Sequence, residues 1–210
     1  MHRGSLVAGV ALLIGAICEC HGQVLSPPEI LEPDMRELQQ RHFAELKAAA
    51  VEITSHEYPY RFYLSRTLDV TEQQEQQIDH RSIRFSNFQG STVLQVTGNY
   101  FAAYSERLMG RDERVKETYL DVALPILRAV VPRLTGEPKL TAFAIEISHH
   151  VRKQVLGVTV ENPENLALII PRMMAEKAAL SHDAIDQITA LRASSVYVDG
   201  NPVMLWSEEN

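Results

Sequence analysis

Cysteine is nearly absent from this chain. Among 210 residues there are two, Cys18 and Cys20, both close to the N-terminus. If that end is removed, the remainder has no disulfide, no thiolate nucleophile and no Cys-based metal site. A basic excess is lacking too: the formal net charge is −7, which favours solubility and argues against general nucleic-acid binding. Beyond residue 22, no apolar run approaches the roughly 20 residues that a membrane-crossing helix requires. Motifs that announce an enzyme are missing as well: no His-Glu-x-x-His, no phosphate-binding loop, no Gly-x-Gly-x-x-Gly, no Cys-x-x-Cys, no EF-hand loop and no Gly-x-Ser-x-Gly. These absences remove the motif-marked enzyme classes. They leave open a site built from scattered histidines and carboxylates, which has no local signature.

What is present begins with residues 1–22. Arg3, with His2, gives a short basic start, and Leu6 to Ile17 is an uncharged run of apolar and small residues. That run is too short to span a bilayer and reads as a secretory signal peptide. Cys20 and Gly22 supply the small residues expected before a cut that would leave Gln23 as the new N-terminus, and Ala16 with Cys18 fits an earlier cut almost as well. Two alternatives stand beside this reading. One is a lipoprotein with Cys18 lipidated, although Ile17 before it is a poor residue for that processing; the other is an uncleaved anchor. The expected location is periplasmic or extracellular, with membrane contact only through the signal or a lipid anchor at Cys18. A composition of 45% hydrophobic and 22% charged residues is that of a globular protein, and about 190 residues suit one domain with its own core. Residues 23–33 carry three prolines and read as a linker. A single α+β domain is then expected over 34–210.

Asp34, with Glu37 three residues on, has the form of a capping box opening a helix to about Thr54. Its apolar stripe includes Met35, Leu38, His42, Leu46 and Ile53. Residues 62–70 alternate as a strand and 71–77 are polar. Residues 82–88 and 91–104 form a hairpin about Gln89-Gly90, with Gly98 marking a bulge or a close backbone approach. Asp112 opens the strongest helix, with two adjoining apolar stripes. Pro125 predicts a kink near 121–125, and Pro132 with Gly136 ends the helix. Strands are expected over 140–151 and 154–160, followed by a turn at Asn162-Pro163-Glu164-Asn165. Residues 166–170 are either a short strand or the run-in to a helix near Pro171. Ser181 caps a further helix to about Arg192, and a hairpin about Asp199-Gly200 closes the chain. The order, roughly α-β-β-β-α-β-β-(β)-α-β-β, predicts a largely antiparallel sheet with helices packed on one face. Up to the third helix this order resembles that of the type III secretion chaperone-like α+β domains, a likeness of fold that carries no function with it.

Candidate chemistry centres on Glu146, His149 and His150. On a strand, His150 shares a face with Glu146 while His149 points to the apolar side. Glu146 and His150 stand about 13 Å apart at strand rise, too far to share a metal directly. A metal would need further ligands such as Asp79 and His80, and no metal or other cofactor is implied. The blander reading makes His149 a core-edge residue and His150 a surface one. Ser181-His182-Asp183 is explained by helix capping rather than as a triad. Asn99, Tyr100 and Tyr104, at an aromatic strand end, are candidates for contacting a ligand, as are Asn162 and Asn165 in the polar turn. Arg107, Arg111 and Arg114 alternate with acids and read as a solvated face. The leading expectation is an exported, non-catalytic binding or accessory module for a protein, peptide or small ligand. An exported hydrolase using His and carboxylates is the alternative. A self-associating module using the edge of the final hairpin is the third.

Overall fold

The computed structural model describes residues 31–55, 62–63 and 83–206. The expected signal segment, the strand beyond Tyr63, the polar 71–77 stretch and the pair Asp79 and His80 lie outside the described residues. The first described elements are two helices, α1 (Pro33–Arg41) and α2 (Phe43–Ser55). Strands β1 (Phe62–Tyr63), β2 (Ile83–Phe88) and β3 (Ser91–Ser105) follow. Helix α3 (Arg111–Thr118) runs through a π-helical turn (Tyr119–Ala123) into α4 (Leu124–Leu134). After β4 (Ala142–Val155) and β5 (Val158–Pro171) come α5 (Arg172–Leu180) and α6 (Ala184–Arg192). The last described elements are β6 (Ser195–Val198) and β7 (Asn201–Val203).

The seven strands form one sheet in the order β1-β3-β4-β5-β6-β7, with β2 beside the first half of β3. Every neighbouring pair is antiparallel except β3–β4, which is parallel and is crossed over by α3 and α4. The fold is therefore α+β with a mostly antiparallel sheet. Alternation on the strands sends Leu94, Val96, Phe143, Ile145 and Leu168 to the helical side. There they join Leu38, Leu46, Ile53, Ile126 and Leu134 in one buried core. On the other face, Phe88 and Ile169 cover Val93, Ala142 and Ala144, and Glu146, Ser148 and His150 follow along β4. Gln39 guards the outer edge of β2. Its amide donates to the Ile83 carbonyl at 3.2 Å and accepts from the Phe85 N–H at 3.0 Å, as a further strand would.

Several local expectations change. The first helix breaks at His42, whose ring lies 2.8 Å from the buried Glu137 carboxylate. Its N-cap is Glu32, with Pro33 at the first helical position, so Asp34 sits in the first turn and caps nothing. The central helix starts at Arg111, and Glu113 accepts from the Gly110 N–H at 3.0 Å. Pro125 does perturb that helix, and the mechanism is visible. Proline offers no N–H to the carbonyl of Asp121, and the Leu124 N–H bonds back five residues to Tyr119, giving the π turn. Pro132 does not end the helix, which continues to Leu134.

The largest correction concerns residues 154–170. The turn lies at Leu156-Gly157, with φ of 51° and 82°, so 154–155 belong to β4. Asn162-Pro163-Glu164-Asn165 is no turn but the middle of β5, and 166–170 are the same strand's second half. Pro163 is accommodated because β6 pairs only with Leu166–Ile169, which leaves this stretch of β5 at an edge. Ser181 ends α5 and does not cap α6. The cap is Asp183, whose carboxylate accepts from the Ile185 N–H at 2.8 Å.

Candidate functional site

The long β4–β5 register decides which polar side chains meet. It places Glu164 directly opposite His149 on the helical side of the sheet. His149 Nε2 lies 2.9 Å from Glu164 Oε1. The same carboxylate receives Arg114 in a two-pronged contact, Nε to Oε1 at 3.0 Å and Nη2 to Oε2 at 2.7 Å. Arg114 also donates from Nη1 to the Met109 carbonyl at 3.0 Å, which fixes the entry to α3. All three residues are nearly sealed: His149 is 1% exposed, Arg114 5% and Glu164 8%. Burial pushes the Glu164 carboxyl upward, but the hydrogen bonds from His149 and Arg114 outweigh it and hold the group at about 2. The bond to Glu164 raises Arg114 further against the opposing effect of burial. Because the carboxylate can only accept, the His149 Nε2–H is the donor in that bond. Nδ1 is buried and has no hydrogen-bond partner.

Of the aromatic candidates, Tyr104 packs directly against this cluster. Tyr104 meets the His149 ring edge-on at 5.1 Å, and its hydroxyl lies 3.1 Å from Thr118 Oγ1. Tyr100 donates to Asp121 Oδ2 at 3.3 Å. Burial raises both phenols above their ordinary range, and the Asp121 charge adds to this at Tyr100. These bonds fasten β3 to α3 and to the π turn, with the wider turn placing Asp121 against Tyr100. Asn99 pairs in register with Ser148 on β4.

The remaining sequence candidates are dispersed. Glu146 lies on the opposite face of β4. It accepts from Gln95 Nε2 at 2.7 Å and Thr97 Oγ1 at 3.3 Å, while Arg84 donates to Gln95 at 2.7 Å. His150 is exposed and shares that polar face. Glu146, His149 and His150 therefore do not converge. Asn162 is exposed on β5, and the backbone of Asn165 is tied to Asp199. Among the described residues no group of three His, Cys, Asp or Glu side chains is arranged to hold a metal ion. Arg114, expected on a solvated face, is instead buried.

Glu164 and Arg114 were the residues sequence reasoning passed over. The signal for Glu164 was present: counting back from a tight turn at Leu156-Gly157 sets it opposite His149. Nothing local marked Arg114.

No protein-family model, curated protein or solved structure matches the chain. The site must therefore be judged on its own chemistry. A general base has to reach its substrate, whereas His149 is enclosed and its partner carboxylate already takes three hydrogen bonds. The cluster acts as a three-way clamp among α3, β4 and β5. A more accessible feature lies where β3 ends. A groove of about 750 Å³ opens there between the end of β3 with its 106–108 turn and β4, lined by Arg107, Leu108, Arg152 and Lys153 among others. Lys153 pairs with Glu106 at 3.0 Å and Arg152 with Glu161 at 3.2 Å, while Leu108 is 83% exposed.

Proposed function

We propose that this chain is an exported, non-catalytic α+β module that binds a protein or peptide segment. The observation that carries the reading is the sealing of the His149 cluster. The constellation best suited to acid–base chemistry is spent on joining three elements. The groove beside the 106–108 turn supports a binding role, since it combines an exposed apolar side chain with exposed cations. Export rests on the signal-like pattern of residues 1–22.

The test has two arms. The chain is assayed from pH 5 to 8 against chromogenic esters, phosphoesters, glycosides and peptides, and no turnover is expected. Turnover lost in Glu146→Gln or His150→Ala, both on the solvent face, would replace this reading with a hydrolase. In the second arm a displayed random-peptide library is selected on the immobilised chain. Enriched sequences whose binding is lost in Arg107→Glu support the proposal, and a library with no enrichment over an inert protein counts against it.

A further inference from the structure

The tip of the β4–β5 hairpin bears an open strand edge. Val155 and Val158 flank the two-residue turn in register. They therefore form the bonded pair that closes it, and the even-numbered residues of β5 direct their backbone groups toward β4. The odd-numbered residues Thr159, Glu161 and Pro163 turn theirs outward. Asn165 confirms this phase, because its N–H and carbonyl both bond sideways to Asp199, at 2.9 and 2.8 Å. Since β6 stops at Leu166, the outward N–H groups of Thr159 and Glu161 meet no strand among the described residues.

This edge carries little of the protection usual on exposed strands. Its one outward acid, Glu161, is paired with Arg152, and its proline lies at the far end. Val158 is 62% exposed, Val160 36% and Leu156 100%. By contrast, the edge of the final hairpin is only three residues long and contains Pro202.

We propose that two copies of this chain associate through a two-fold antiparallel pairing of their β5 edges, centred on Thr159. In that register the Thr159 N–H and carbonyl exchange bonds with their counterparts in the second copy. Val158 faces Val160 of the second copy, and the reverse, giving a four-valine contact on one face. Glu161 falls opposite Gly157 of the second copy, so no like charges meet. Centring the pair on Glu161 instead would oppose two carboxylates and drive the second tip into the Asp199 turn. The Thr159 register leaves each body beyond the other's tip. Such an interface is isologous, and it is smaller than the roughly 800 Å² per partner of a stable complex. The association is therefore weak and concentration-dependent.

The test is the solution mass of the chain by light scattering and sedimentation over rising concentration. The mass is expected to climb from monomer toward dimer. Thr159→Pro removes a donor that the monomer does not use, and Val160→Lys places charge in the valine contact. Both should stay monomeric at every concentration while melting as the parent does. Register is read with Cys18 and Cys20 changed to Ser. Thr159→Cys should then give a disulfide-linked dimer on mild oxidation, since bonded antiparallel pairs lie about 5.5 Å apart at Cα. Glu161→Cys should give several-fold less. A mass that stays monomeric overturns the proposal. So does a dimer that survives both Thr159→Pro and Val160→Lys, or equal cross-linking at 159 and 161.

Discussion

Replacing Glu164 by Gln tests the reasoning about the buried cluster most directly. The change keeps the shape and deletes the charge. It leaves Arg114, 5% exposed and held by two bonds to that carboxylate, facing an amide. Stranding one member of a buried ion pair costs about 3–5 kcal/mol, a large fraction of the about 5–15 kcal/mol that stabilises an ordinary domain. Arg114→Met should cost a similar amount, because Glu164 then keeps only His149. The double variant Glu164→Leu with Arg114→Met should be less destabilised than either single variant. What remains, about 1–3 kcal/mol, is the His149 N–H left without an acceptor. The measurement is urea unfolding followed by circular dichroism at pH 7, each variant being compared with the parent. A pH series sharpens it. The Glu164 carboxyl is depressed in the folded chain to about 2 from an ordinary 4.5. Its contribution is therefore fully present above pH 4.5 and is lost as pH falls through 2. Glu164→Gln should flatten the decline of stability across that window. A Glu164→Gln loss below about 1 kcal/mol, the worth of an exposed pair, would refute the clamp.

Two further predictions concern the frame around the cluster. Gln39→Ala removes the partner of the Ile83 carbonyl and the Phe85 N–H and should cost about 1–3 kcal/mol. A loss of only a few tenths in urea unfolding would show that the β2 edge needs no guard. Asp183→Ala should cost about 1 kcal/mol as the lost N-cap of α6, and Ser181→Ala should cost less. The reverse order in thermal melts would return the cap to Ser181.

Much of this protein follows from short-range pattern. The apolar stripes of α2, α3 and α4, the alternation along β2, β3 and β4, and the turns at Gln89-Gly90 and Asp199-Gly200 each depend on neighbours within a few residues. Pro125 likewise disturbs its own helix by an argument that needs only four residues of chain. The limit of such reasoning shows at Asn162-Pro163-Glu164-Asn165. Its composition is that of a turn, yet the pairing with β4 and the open edge beyond β6 hold it extended. Similarly, Arg114 sits among acids in a run that is polar by composition. It is buried because the crossover between the parallel strands β3 and β4 lays α3 over Glu164, fifty positions away. Alternation alone told that His149 faces the core and that His150 and Glu146 face away from it. That a carboxylate and a guanidinium would close over His149, making a clamp of a candidate base, was settled by strand register and helix placement. Those are long-range pairings, and the periodicity of no single segment encodes them.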